Sequence, residues 1–428
     1  MGSSRGARAL CWRLIGCLIL AALLGLPPST PARAAELTVQ SETATAAFPR
    51  SITFTLVADV PQPATTVELR YHPAFSPVTD AARPSFRPGT HIDVSYPVDM
   101  TTHYLPPGVD IVYRWRVTEQ DGTTVDTPEQ TVFYMDPGRQ WQKLTEGPVT
   151  LYYYAGNPSF AQDAIATTVR SITRFDQTFA ITTTEPIRVV MYGSPQDFSA
   201  VLPVNSDQWV GGFTDPGLHL IVVGIQPGVT SEVHRMLSHE VVHIVMAEVT
   251  DNPFNEPPTW LNEGLASYYQ EVQDDRFPTY LDNAVRRGQL DTVRGLNSSF
   301  SSDPNAALLS YAESESIVRF IVTKMGPDKM AALIKVYANG VSYDDAVQQA
   351  LGISVDELDR EWKASLGYRG DSGPTAQTGA LGGPGPGATE PLAADLTRFG
   401  PFAIGGLLVI AGGLAAARLR VRRHAAQR

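Results

Sequence analysis

In Met236-Leu237-Ser238-His239-Glu240-Val241-Val242-His243-Ile244-Val245-Met246, three ionisable side chains interrupt an otherwise apolar run. Apolar residues on nearly every side make this a buried helix. Residues four apart on a helix share a face, so His239 and His243 stand one turn from each other. Two imidazoles so placed grip one zinc ion, and Glu240 lies beside any water on that metal. Zinc lowers the pKa of a bound water to about 7, and a neighbouring carboxylate takes its proton. That is the equipment for hydrolysing an amide bond. The alternative is a helix with two satisfied histidines. Burying two imidazoles and a carboxylate without partners is costly, and a metal with its water would satisfy all three.

A catalytic zinc usually takes three protein ligands and leaves a fourth position for water. A third histidine six residues after the second is absent, because Ile244-Val245-Met246-Ala247-Glu248-Val249 follows His243. The better candidate lies in Trp260-Leu261-Asn262-Glu263-Gly264-Leu265-Ala266-Ser267-Tyr268-Tyr269. Pro257-Pro258-Thr259 precedes it as a helix start with Thr259 as cap. Glu263 lies on this second helix, and the loop from Asp251 to Pro258 lets the two helices pack together. Glu248, five residues after His243, is a rival ligand, but that spacing turns it off the motif face. His234, five residues before His239, is also off that face and reads as structural; His219 is outside the pattern.

His-Glu-x-x-His followed by Trp-Leu-Asn-Glu-Gly-x-Ala-x-Tyr resembles the gluzincin metallopeptidases, which include thermolysin and the aminopeptidase N type, and in particular bacterial peptidase MA-like domains. The resemblance is strong around the two motifs and loose over residues 150–367. It implies that His239, His243 and Glu263 bind Zn2+, one per chain, and that Glu240 is the general base activating water against a peptide bond. In aminopeptidase-type members a downstream tyrosine donates a hydrogen bond to the oxyanion. Tyr311 lies in a similar place, with a packing role as the alternative. Ser267, one turn after Glu263, is a candidate to orient a ligand histidine. One departure matters. Trp209-Val210-Gly211-Gly212-Phe213-Thr214-Asp215 lacks the glutamate with which aminopeptidases of this type hold a free amine. Gly211-Gly212-Phe213 still reads as an edge strand that pairs with an extended peptide. The expectation is an endopeptidase, with aminopeptidase activity left open.

The rest of the chain sets the context. Residues 1–34 read as a secretory signal: Arg5, Arg8 and Arg13, an apolar run from Leu14 to Leu26, and Ala32-Arg33-Ala34 for cleavage. Cys11 and Cys17 are the only cysteines and both lie there, which excludes disulfides and thiolate ligands from the mature chain. Residues 35–140 alternate apolar and polar residues in short runs parted by Pro, Gly and Asp, as in Ser51–Val57 and Asp110–Val117. They predict an all-β sandwich resembling an immunoglobulin-like or fibronectin-type module, with Trp115 in its core. Asp136 to Gly147 reads as a bridge. Residues 147–368 show strands first and then helices, which predicts an α+β gluzincin-like domain, and Ser354 and Glu357 form a capping box on its last helix. A Gly- and Pro-rich stalk is expected at 369–398. Phe399 to Ala417 has nineteen residues without a charge. Helical, they would span about 28 Å, close to the thickness of a bilayer.

Arg418, Arg420, Arg422 and Arg423 open the basic tail 418–428 and mark that side as cytoplasmic. The prediction is a single-pass transmembrane helix in the lipid bilayer of the cell membrane, with the ectodomain outside the cytoplasm. Residues 35–417 carry 24 basic against 44 acidic side chains, a net charge of −20 that repels nucleic acid. The leading expectation is thus a membrane-anchored zinc metallopeptidase acting on peptides or proteins. The alternative is a non-catalytic surface binding or adhesion protein with a vestigial zinc site.

Overall fold

The computed structural model of the protein describes residues 37–76, 78–203, 206, 210–369 and 406–409. The expected export signal, nearly all of the stalk, most of the expected span 399–417 and the basic tail lie outside these residues.

Among the described residues the N-terminal region is β-rich, as the alternation predicts. Its strands are β1 (Thr38–Ala47), β2 (Ser51–Pro73), β3 (Asp80–Ala82), β4 (Gly89–Asp99), β5 (Val109–Glu119), β6 (Thr124–Asp126) and β7 (Gln130–Tyr134). The alternating run Ser51–Val57 is only the first part of β2, one strand of 23 residues. Its pairing register shifts between Asp59 and Ala64, where Pro61 and Pro63 have no N–H to give a ladder. Before this shift β2 lies between β1 and β4; beyond it, between β3 and β5. The two halves face each other across one core. Phe54 stacks on Tyr71 with ring centroids 5.7 Å apart and meets Tyr113 edge-on at 4.9 Å. Trp115 is fully buried there, as expected.

The second sheet has the order β13 (Gly406–Val409), β11 (Val210–Asp215), β12 (Leu220–Gly224), β10 (Ile187–Tyr192), β9 (Val149–Tyr153) and β8 (Gln142–Glu146). β8 comes from the stretch expected as a bridge. The three central strands β9, β10 and β12 run parallel. Parallel neighbours need a crossover, and α1 (Pro158–Phe179) supplies it between β9 and β10. The domain is therefore α/β, in place of the expected α+β order. Ile187–Tyr192 is an apolar run without alternation, the mark of a strand covered on both faces. Val189 and Met191 pack with the helices, while Val190 and Tyr192 pack with the N-terminal β region. Arg188 fastens the two regions, donating to the carbonyl of Gly108 and, at 2.8 Å, to Asp110.

After a short α2 (Pro195–Ser199), the remaining helices are α3 (Thr230–Val249), α4 (Thr259–Tyr269), α5 (Phe277–Arg287), α6 (Pro304–Phe320), α7 (Pro327–Tyr337), α8 (Tyr343–Leu351) and α9 (Val355–Ser365). Ser354 caps α9 by accepting from the N–H of Glu357 at 3.1 Å, as the capping pattern predicts. α3 is buried between α1, α4 and strands β11 and β12, which is why its sequence is apolar almost all round. α4 packs on α3 and α6. Gly264 makes the second contact possible: a Cβ there would lie 2.4 Å from the carbonyl oxygen of Ser314 on α6.

The expected transmembrane helix needs correction where it is described. Gly406–Val409 is extended and pairs in parallel with β11. Leu407, Leu408 and Val409 suit a strand, and the outer edge of β11 offers unpaired backbone groups to any extended segment. Among the described residues no helix is long and apolar enough to cross a membrane.

Candidate metal and active site

α3 and α4 bring His239, His243 and Glu263 together. His239 Nε2 lies 3.4 Å and His243 Nε2 3.6 Å from Glu263 Oε2. One ligand atom from each residue falls within 4.8 Å of the other two. All three side chains are buried.

The other ring nitrogens are tied down. His243 Nδ1 donates to the side-chain oxygen of Asn262 at 3.0 Å, and His239 Nδ1 donates to that of Gln270 at 3.2 Å. A donating Nδ1–H leaves the Nε2 lone pair free, and both lone pairs then face Glu263. Both acceptors belong to α4 or its first residue beyond, so each histidine also ties α3 to the helix that carries the third ligand. Ser267, the expected orienting residue, is buried but its hydroxyl makes no hydrogen bond to either histidine. Asn262 and Gln270 take that role.

Glu240 is turned from the histidine face toward the sheet. Its Oε2 accepts a hydrogen bond from the Thr214 hydroxyl of β11 at 2.5 Å. Gly212 lets β11 approach this closely, since a Cβ there would stand 2.9 Å from Glu240 Oε1. One carboxylate oxygen is thus held and the other is free.

Four buried polar atoms of these residues have no hydrogen-bond partner: Nε2 of His239, Nε2 of His243, Oε2 of Glu263 and Oε1 of Glu240. Burial pushes the Glu240 carboxyl up to about 8, with Thr214 opposing, and that of Glu263 up to about 7. The same desolvation lowers His239 to about 3 and lowers His243 as well. The protein thus holds its histidines neutral and ready to ligate, and penalises the carboxylates until a cation joins them. Two imidazole nitrogens and a carboxylate oxygen form a donor set that suits zinc.

The remaining candidates fall as follows. Tyr311 on α6 is buried beside the site, its ring centroid 6.4 Å from that of His239 and 5.0 Å from that of Phe300. Glu248 is elsewhere, accepting at 3.0 Å from both the N–H and the hydroxyl of Thr184. His234 is bound to Asp163 at 3.0 Å, and His219 stacks on Phe75 with ring centroids 5.0 Å apart. α4 begins one residue earlier than expected: Pro258 takes the cap position, Thr259 is already helical, and its hydroxyl donates to the carbonyl of Asn297 at 3.1 Å instead. Gly211, Gly212 and Phe213 are in a strand as expected, but β13 occupies its outer side.

Residues 165–368 match the family model of the Peptidase MA superfamily. The match takes in both motif helices, all three clustered ligands and Tyr311, and it points to a peptidase. A search of the curated proteins finds no match. Among solved structures, a bromine derivative of a family 56 carbohydrate-binding module is 13% identical over 22% of this chain and 98% of its own, with a TM-score of 0.17. A family 56 module that binds β-1,3-glucan is 19% identical over 23% of this chain and 99% of its own, with a TM-score of 0.15. A polysaccharide deacetylase from Bacillus cereus is 12% identical over 39% of this chain and 53% of its own, with a TM-score of 0.20. TM-scores this low carry no inference about fold or ligand. The peptidase MA-like domain rests on the family match and on the site itself.

Proposed function

We propose that the protein is a zinc-dependent peptidase of the gluzincin type, cutting within peptide chains. The observation that carries this is the convergence of three buried ligand atoms without a hydrogen-bond partner, two imidazole nitrogens and one carboxylate oxygen, with the equally unpaired Oε1 of Glu240 on the residue next to His239. His239 and His243 would hold the metal through Nε2 and Glu263 through Oε2. When bound, zinc supplies Lewis acidity toward a water and toward the substrate carbonyl.

The chain's own residues do the rest. Asn262 and Gln270 hold the two imidazoles in the tautomer that ligates. Thr214 fixes Glu240 by one oxygen, so the free Oε1 takes the proton from the attacking water. The same oxygen then returns it to the departing amine nitrogen. Tyr311 would donate to the developing oxyanion, a role supported by its burial beside His239. Cutting within chains is supported by the lack of an amine-binding glutamate in Val210–Asp215. Export belongs to the same proposal and is supported by the residue pattern of 1–34.

The test is Glu240→Gln, assayed on a diverse peptide pool with zinc content measured in parallel. The variant is expected to keep one zinc per chain and to lose hydrolysis by at least about 10³-fold, as for a group acting on the reacting atoms. Full activity in that variant sinks the mechanism. A folded wild type that binds no metal and cuts nothing sinks the peptidase reading and leaves a surface binding role.

A further inference from the structure

Gln270 is the first residue beyond α4, seven positions after Glu263 and on the same stripe of that helix. It is buried, and His239 Nδ1 is its hydrogen-bond partner, at 3.2 Å, while its own side-chain NH2 finds none. A buried amide that is only half satisfied is poorly explained as packing. The backbone carries it into place: the N–H of Glu271 donates to Ser238 Oγ at 2.8 Å, and Ser238 is the neighbour of His239.

We infer that Gln270 is a positioning residue that sets the affinity of this site for zinc. Its oxygen holds the His239 ring with Nε2 toward Glu263, and it does so without adding charge. One zinc dication and the two buried carboxylates Glu240 and Glu263 sum to zero. Metal-bound histidines commonly donate to a carboxylate, a backbone carbonyl or water. A carboxylate at position 270 would make the buried cluster net negative, whereas an amide locks the tautomer and keeps it neutral. This inference rests on the metal-binding part of the proposed function and not on peptide hydrolysis.

The experiment is zinc affinity of the full chain, measured by competition with the chromophoric chelator 4-(2-pyridylazo)resorcinol. Gln270→Met keeps the volume and removes the acceptor, and Gln270→Glu keeps the acceptor and adds charge. Gln270→Met is expected to bind zinc about 10- to 100-fold more weakly than wild type. Gln270→Glu is expected to bind at least as tightly as wild type, and Ser267→Ala to match it. Melting of the metal-free proteins shows whether each variant folds; if Gln270→Met does not, Gln270→Glu against wild type carries the test. Wild-type affinity in Gln270→Met overturns the inference, and so does a Gln270→Glu protein as weak as Gln270→Met. The same holds for a wild type that binds no zinc. The expected order of affinities with no cleavage of any peptide would uphold Gln270 and sink the peptidase reading.

Discussion

Glu68 in the N-terminal β region and Glu263 in the peptidase MA-like domain are both buried carboxylates, and the fold treats them in opposite ways. Glu68 is met by Arg70 at 2.7 Å and by Arg83 at 2.9 Å, and the Arg70 hydrogen bond outweighs burial and lowers its pKa. Glu263 faces two neutral imidazoles, and burial raises its pKa. Glu240 repeats the pattern one helix away, with Thr214 on one oxygen and nothing on the other. At Glu68 the chain completes its own charge pairing; at Glu263 and Glu240 it assembles matched donors and stops short of completing them. That unfinished pairing distinguishes a site from a scaffold, and each prediction below alters one side of the contrast.

The largest effect is expected where backbone approach is tightest. Gly264→Ala places a methyl group 2.4 Å from a carbonyl oxygen on α6 and 2.8 Å from Val318, and a helix backbone yields little. α4 must shift, and Glu263 is the next residue. We expect about 3 kcal/mol of destabilisation, the upper end of ordinary overpacking, together with loss of stoichiometric zinc. Urea unfolding and metal analysis measure both. Gly89→Ala in the β region is the matched control. Its nearest atoms would be 3.9 Å and 4.0 Å away, so stability should stay within about 0.5 kcal/mol.

A smaller and purely kinetic effect is expected at Thr214. Thr214→Val keeps the shape and removes the hydroxyl that holds Glu240. A hydrogen bond to a charged group contributes about 1.5–3 kcal/mol, which corresponds to about 10- to 150-fold in kcat. KM and zinc content should not change, and Thr214→Ser should restore the rate. A rise in KM with kcat unchanged would show that the hydroxyl serves substrate binding and not the base.

The motif helices were legible in the sequence because their signals are local. His239 and His243 are one turn apart, and Glu263 follows a Pro-Pro helix start. The strands of the β region were legible from alternation. What escaped depends on residues far apart in sequence. Thr214 reaches Glu240 from strand β11, 26 positions earlier, and Gln270 reaches His239 from 31 positions later. Helical spacing points to Ser267, and it ignores that the chain beyond a helix end can fold back onto its neighbour. The α/β order was within reach: Ile187–Tyr192 lacks alternation, and a helical pattern separates it from Val149–Tyr153. Segment 399–417 is a different case. Its composition suits a bilayer, while Gly406–Val409 pairs with β11, and the two placements exclude each other. Membrane fractionation of the full chain decides between them. Recovery in the membrane pellet, resistant to high salt, is expected from the anchor, and a soluble chain from the strand.

The smallest effects separate the two regions by pH. Glu313 on α6 is buried and accepts from the N–H of Asp291 at 2.9 Å, and burial raises its pKa from 4.5 to about 8. Between those values the folded protein keeps a proton that the unfolded chain has released, so stability falls as pH rises, by up to about 1.4 kcal/mol per pH unit. Glu68 has the opposite sign. Its pKa is lowered in the fold, so its contribution is present above 4.5 and is lost as pH falls through the lowered value. Arg83 is largely exposed, which limits that contribution to about 1 kcal/mol. Glu313→Gln retains an oxygen for the Asp291 N–H and should flatten the decline between pH 5 and pH 8. Glu68→Gln should leave that decline alone and flatten only the acid limb. Melting temperatures across the pH range measure both. Identical pH profiles for the two variants would mean that arginine pairing in the β region and bare burial in the helical domain have the same consequence, and the contrast between scaffold and site would lose its electrostatic basis.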